Sequence, residues 1–406
     1  MGWPLGAHLF DPVCVAGGTT SIMSGLLRER PPVVCLWGGH RPAPDLDTHM
    51  TPSNADKGAR ELKARGYEVR SVSPWTRGKA PAGIARKLQY VTSVGKVLNA
   101  AKPANSVLYT ADLPWIRVIA AMKQAGLLRR RVVAHWGGID FDPHSLSSKA
   151  YLNKYDKLFS AIDAIWLASE NERRIWSEAL PHLADRMAFH PMFVDLGYYS
   201  KIMPASLSHD VVAIGSDSRR DWEIPIGLAA GGLRVAVVTE DHEVRRRISA
   251  LPAAVQSNIT LAFRSGFQQS ARIAAAGKCL LVATTPNFRF SGSTTLAVAI
   301  ALGRPLVIDD PFDLPAYGVQ PGIHCESFVR GDVTSAQAAV RRILSDPQHA
   351  QAMAGALADT RDRVDIEAYV DRLEASFRHG WSAGHTSRPA ASDPLSVARG
   401  TAPAWP

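Results

Sequence analysis

The chain has 406 residues, 46% hydrophobic and 20% charged, with a formal net charge of +9. That length predicts two domains, and the composition excludes wholesale disorder and dispenses with disulfides or structural metal for building a core. The positive balance favours anionic partners such as nucleotides or anionic lipids. The basic runs Arg129-Arg130-Arg131 and Arg245-Arg246-Arg247 are short and carry no nucleic-acid-binding signature, so no nucleic-acid partner is expected.

The opening segment MGWPLGAHLF lacks a charged region and a long apolar stretch, so no secretory signal is expected. Gly6 also breaks the myristoylation pattern. The Gly-rich stretch around Gly17-Gly18-Thr19 lacks a P-loop lysine and the three-glycine dinucleotide spacing, which argues against ATPase and NAD chemistry. Residues 32–37 read as a buried strand and 55–65 as a helix with Ser53 or Asn54 as its cap, stopped by Gly66. A strand at 67–72 and a helix at 83–101 follow. Strands at 106–109, 131–135 and 162–168 then alternate with a helix at 114–125. This alternation predicts a parallel sheet covered on both faces.

The pattern restarts after residue 210, with strands at 211–214, 235–238, 258–262, 279–282 and 305–308 and helices between them. Residues 191–209 have Pro and Gly and no clear period, and mark the boundary. The tail from Ser382 is rich in Pro, Ala, Ser and Gly and is expected to fray. The expected architecture is α/β: two Rossmann-like doubly wound domains facing a cleft. Residues 1–195 form the first, 196–381 the second and 382–406 a tail. The most apolar stretch, 295–308, is broken by Gly303, Arg304 and Pro305 and is too short to span a membrane. A cytoplasmic protein is expected. Cys35 and Cys279 lie in apolar runs and read as reduced, buried thiols, and neither a zinc site nor any other metal site is expected.

The strongest chemical signal is residues 284–308, TTPNFRFSGSTTLAVAIALGRPLVI. An apolar strand leads into Ser291-Gly292-Ser293-Thr294-Thr295, and a helix begins there. Backbone N–H groups and hydroxyls at a helix N-terminus suit a bound phosphate, and Gly292 permits close backbone approach. The same residues would also serve as a simple capped helix.

This region resembles the donor-nucleotide domain of GT-B glycosyltransferases, in particular the large family-4-like group. The resemblance rests on Ala301-Leu302-Gly303-Arg304-Pro305, on Gly331-Asp332 before an Ala-rich helix and on the strand-end segment 214–221, IGSDSRRD. Residues 258–266, NITLAFRSG, and Phe193-Val194-Asp195 near the linker also match. The order and spacing of these segments carry it, over about 210–375 and more weakly over 30–200.

The resemblance implies a glycosyltransferase that moves a sugar from a nucleotide-diphosphate sugar, UDP- or GDP-linked, to a hydroxyl acceptor without a metal. The acceptor classes it leaves open are a polysaccharide, a lipid-linked molecule or a small molecule. It implies that Arg220 or Arg219 contacts the donor pyrophosphate, a task suited to a permanently charged fork of donors. It places Arg264, Ser265 and Gly266 near the base, and Ser291, Gly292, Ser293, Thr294 and Thr295 on the diphosphate. The chain departs from the family at its glutamate pair, where Phe290 and Val298 stand instead. That departure keeps a non-catalytic binding member as an alternative, and a related nucleotide-sugar epimerase, in which the same cleft holds one substrate, is the other.

In such an arrangement the acceptor meets loops at the carboxyl ends of the first sheet. An inverting enzyme needs a base there. His135 and Asp140 are the leading candidates, with Asp112 and His40 behind them. The helix at 83–101 places Ile84, Leu88, Val91, Val94 or Gly95, and Leu98 on one stripe among basic residues. This stripe reads either as a packed surface helix or as a peripheral contact with an anionic membrane.

Overall fold

The computed structural model describes residues 30–37, 57–74, 83–136, 143–202, 206–216, 218–309 and 313–378. Among the described residues twelve strands form two six-stranded sheets, and every pairing between named strands is parallel. The first sheet contains β1 (Val33–Leu36), β2 (Val69–Val72), β3 (Val107–Thr110), β4 (Arg131–Trp136), β5 (Ala164–Leu167) and β6 (Met187–Phe189), in the order β2-β1-β3-β4-β5-β6. The second contains β7 (His209–Ile214), β8 (Val235–Thr239), β9 (Ile259–Phe263), β10 (Gly277–Val282), β11 (Leu306–Asp309) and β12 (Glu326–Phe328), in the order β9-β8-β7-β10-β11-β12. The predicted α/β class with two doubly wound units is the observed one.

The central strands are near-continuous apolar runs because helices cover both of their faces. Val211, Val212, Val235, Val237, Cys279 and Leu280 are all fully buried. Alternate residues of one strand feed different cores: Val212 and Leu280 face one helical layer, Val211 and Cys279 the other. Cys35, Cys279 and Cys325 are buried thiols outside any disulfide, and burial pushes Cys279 and Cys325 up to about 12.

The chain passes between the two sheets at Val194 and again at Val364–Ile366, and these two segments are hydrogen-bonded to each other. The Val194 N–H donates to the Val364 carbonyl (2.7 Å), and the Ile366 N–H donates to the Val194 carbonyl (3.0 Å). The helix Ile366–Arg378 then completes the first sheet's core. Tyr369 stacks on Phe193 (3.8 Å between centroids) and meets Trp166 edge-on (5.2 Å). Leu373 and Phe377 join the cluster around Val33, Cys35 and Leu62.

Three local expectations are corrected. The helix predicted from residue 55 begins at Ala59, with Gly58 in the left-handed region (φ 79°) as its cap and no side-chain cap; Ser53 and Asn54 lie outside the described residues. The helix predicted over 83–101 is two, Gly83–Thr92 and Val94–Ala100. They part at Ser93, whose hydroxyl donates to the Gln89 carbonyl (2.7 Å) and competes with the regular ladder. The packed face of this pair is also not the predicted stripe. Tyr90, Ser93 and Val97 are buried, while Leu88 is 57% exposed and Val91 61%. Trp115 decides the matter, because Tyr90 packs against it edge-to-face (5.1 Å) and turns the other side of the helix outward.

Among the described residues no helix is long and apolar enough to cross a membrane, and no group of three or more His, Cys, Asp or Glu is placed to hold a metal ion.

Candidate functional site

In a doubly wound sheet a ligand sits outside the carboxyl ends of the strands where the order reverses, here between β7 and β10. A cleft of about 570 Å³ opens there, bounded on its far side by residues of the first sheet.

The wall from the second sheet is built around Arg220. Its main chain bridges to Thr284 beyond β10, held by the Thr285 N–H to the Arg219 carbonyl (2.9 Å) and the Asp221 N–H to the Ala283 carbonyl (3.0 Å). The side chain then runs across two glycines. A Cβ on Gly215 would lie 2.6 Å from Arg220 Nε. A Cβ on Gly292 would lie 3.1 Å from Arg220 Nη1 and 2.4 Å from Val282 Cγ1, and Gly292 also has φ 109°. Only glycine fits at either position without displacing the arginine. Arg220 Nη2 donates to Thr295 Oγ1 (2.9 Å), which in turn donates to the Ile214 carbonyl (3.2 Å).

The helix Ser293–Leu302 starts at this point with Gly292 as its cap and no side-chain cap, so its first amides face the guanidinium's surroundings. Ser291, Ser293 and Thr295 are buried and Thr294 is exposed; all four line the cleft with Gly292. Arg219 does not line it and contributes its carbonyl to the strand-like bridge.

Beyond β9, Arg264 holds a left-handed backbone (φ 54°), a strained conformation for a residue with a Cβ. Its N–H donates to the Thr239 carbonyl (2.9 Å), and its Nη2 sits 2.8 Å from His242 Nε2. Ser265 Oγ pairs with Ser270 Oγ (2.9 Å), and Gly266 opens the helix Phe267–Ala275. All three predicted base-side residues line the same cleft as Arg220. So do Phe290 and Val298, both buried, where the family resemblance places carboxylates.

The wall from the first sheet holds His135 and Trp136 at the end of β4, and Ala168, Ser169 and Glu172 after β5. His135 is 4% exposed, and its Nδ1 lies 3.4 Å from the Tyr369 hydroxyl. Burial, with the nearby Lys57 charge, pushes it down to about 3. His135, expected as a catalytic base, thus lines the cleft as a buried, neutral imidazole able to hydrogen-bond a ligand. Asp140 and His40 lie outside the described residues. Asp112 instead stands at the N-cap position of the helix Leu113–Gln124 without a side-chain capping bond, and its carboxylate accepts from the Tyr90 hydroxyl at 3.2–3.3 Å.

Glu172, Arg289 and Glu240 line the cleft without having been singled out in the sequence. Glu172 carried a readable signal, since Ser169-Glu170-Asn171-Glu172 is a capping box directly after a strand. Ser169 Oγ does accept from the Glu172 N–H (3.1 Å), but the carboxylate turns to the Trp136 indole N–H instead (2.9 Å). Burial pushes Glu172 up to about 7; hydrogen bonding from Trp136 and the charge of Arg289 only partly offset this.

The two walls are tied together beside Glu172. Buried Asp313, from the second half, accepts from Ser169 Oγ and from the Asn171 N–H (2.9 Å), and so caps the helix Glu170–Ala179 across the cleft. Asn171 Nδ2 donates to the Phe288 carbonyl (3.0 Å), and Tyr317 Oη to the Ala168 carbonyl (2.8 Å).

No family model and no curated protein matches the chain. Solved structures do. HepE (Alr3699) of Anabaena, solved with UDP and glucose, superposes with a TM-score of 0.62 at 14% identity, over 85% of this chain and 99% of that one. A glycosyltransferase from Rickettsia africae gives 0.65 at 9% identity, over 86% and 98%. Sucrose-phosphate synthase from Thermosynechococcus elongatus gives 0.61 at 14%, over 86% and 98%. At such identities the likeness defines a fold: this chain has the two-domain α/β architecture of GT-B glycosyltransferases.

Proposed function

We propose that the protein is a glycosyltransferase that moves a sugar from a nucleotide-diphosphate sugar to a hydroxyl acceptor. The observation that carries this is Arg220, laid across Gly215 and Gly292 onto the N-terminus of the helix Ser293–Leu302, inside a cleft that both sheets line. That arrangement presents a guanidinium, a helix N-terminus and hydroxyls to one anion, which suits a departing diphosphate without calling on a metal. The Anabaena structures, solved with UDP and with UDP-glucose, favour a UDP-linked donor over a GDP-linked one. In this reading residues 196–381 hold the donor, residues 1–195 the acceptor, and neutral His135 hydrogen-bonds the transferred sugar. Calorimetric titration with UDP, GDP, dTDP and ADP tests it. Selective binding of one of them is expected, followed by release of that nucleotide from its sugar conjugate. Absence of binding by all four would remove the reading.

We propose further that the helix pair Gly83–Thr92 and Val94–Ala100 touches an anionic membrane surface. Leu88, Val91 and Leu98 share an exposed side at helical spacing, with Lys96 and Lys102 exposed alongside. Co-sedimentation with vesicles containing anionic lipid is expected, with little on purely zwitterionic vesicles and a marked drop for Leu88→Ser/Val91→Ser. Equal sedimentation of the double variant would contradict it.

A further inference from the structure

The nucleotide reading has so far named no partner for the ribose, and the helix Ser293–Leu302 presents the apolar Val298 to the cleft beyond its hydroxyl-bearing first turn. The second half of the chain contributes one carboxylate to the cleft lining among the described residues, Glu240, and its position in the sheet is informative. It directly follows β8, the strand beside β7 on the side away from β10. The order β9-β8-β7-β10-β11-β12 is the 3-2-1-4-5-6 order of dinucleotide-binding domains, in which the phosphates lie at the end of the first strand and an acid at the end of the second pairs with the ribose. Here the first strand is β7, with Gly215 and Arg220 at its end; the second is β8, ending at Glu240; the third is β9, ending at Arg264-Ser265-Gly266. A nucleoside diphosphate with its phosphates on Arg220 and its base toward residues 264–266 lays its ribose past Glu240.

The neighbouring acid has another task. Asp241 Oδ1 accepts from the Glu243 N–H (2.8 Å) and caps the helix His242–Ser249. Glu240, exposed at the rim, is the acid that reaches the cleft.

We infer that Glu240 is the ribose-recognition residue of the cleft, accepting hydrogen bonds from the 2′ and 3′ hydroxyls of the donor nucleotide. The inference rests on the nucleotide-sugar reading above. A carboxylate is an acceptor with two oxygens, which matches two adjacent hydroxyl donors. It also assigns specificity, because a 2′-deoxynucleotide forfeits one of these bonds.

Calorimetry on the full chain tests this with UDP against 2′-deoxy-UDP, and GDP against 2′-deoxy-GDP, for wild type, Glu240→Ala and Glu240→Gln. The wild type is expected to favour the ribonucleotide about tenfold, as one charge-assisted hydrogen bond would give. Glu240→Ala is expected to bind both forms equally, and more weakly than the wild type binds the deoxy form, because the bond to the 3′ hydroxyl is lost as well, with thermal melts confirming that the variant is folded. Retained discrimination in Glu240→Ala, or none in the wild type, overturns the inference while leaving nucleotide binding intact. A wild type that binds no nucleotide overturns both readings together.

Discussion

Arg220→Ala is expected to weaken nucleoside diphosphate binding by roughly 100-fold, about 2.7 kcal/mol, with a loss of sugar transfer at least as large. The side chain is fixed before any ligand arrives. Gly215 and Gly292 leave room for it, Val282 closes the space behind Gly292, and Thr295 Oγ1 receives Nη2. A preset guanidinium loses little conformational freedom on binding, so most of its interaction with a diphosphate appears as affinity. Alanine leaves the helix N-terminus of Ser293–Leu302 as the anion donor beside the guanidinium's former position, which accounts for residual binding. Arg220→Lys is expected to recover only part of the loss, because a single ammonium cannot bond Thr295 and a phosphate in the same fork geometry. Calorimetry against the selected nucleotide, with thermal melts run in parallel, gives the readout. Affinity within threefold of wild type in a folded Arg220→Ala variant would remove the diphosphate role.

Much of this site was legible in the sequence because it is built from backbone logic. The apolar runs 211–214 and 279–282 fix two central strands, and Ser291–Thr295 falls where the next helix must start. Strand ends therefore brought Arg220, Arg264–Gly266 and the 291–295 loop to one edge. The two strands that escaped sequence reading, β6 and β12, each have three residues and lie at sheet edges. Paired on one side only, they need no long apolar run, and β12 opens with Glu326, held by Arg342 (2.6 Å) and His349 (2.9 Å).

The helix at 83–100 failed for a different reason. It carries two apolar stripes, and the richer one, through Leu88, Val91 and Leu98, is exposed. Tyr90 and Val97 pack inward because Trp115 lies across from them in space. His135 shows the same limit. Its place at a strand end was readable, but the burial that keeps its ring neutral depends on residues such as Tyr369, 234 residues away. Glu172 was missed because its cap signature suggests a local partner, whereas its carboxylate answers to Trp136 and Arg289 from elsewhere in the chain.

Glu172→Gln is expected to raise stability above neutral pH and to flatten its dependence on pH. The carboxyl is raised from 4.5 to about 7 by burial. Between those values the native protein holds a proton that the unfolded chain has released. The stabilisation from that proton is complete below about pH 4.5 and is lost as pH rises through 7. Beyond pH 7 the native state keeps a buried charge, at a cost of about 3 kcal/mol on the scale of 1.36 kcal/mol per unit. Glutamine keeps the shape and an acceptor for the Trp136 indole without ever ionising. Urea denaturation of both proteins from pH 5 to 8.5 should therefore give curves that nearly coincide at the acid end and diverge as pH rises, with the variant the more stable.

Binding should follow the same group. An ionised Glu172 in a cleft of this size repels a diphosphate, so wild-type nucleotide affinity should fall as pH rises through 7, with proton uptake on binding near neutrality. Glu172→Gln should show neither effect. Parallel stability curves for the two proteins, together with nucleotide affinities that fall alike with pH, would mean that Glu172 is already ionised and held by Trp136 and Arg289 across the whole range.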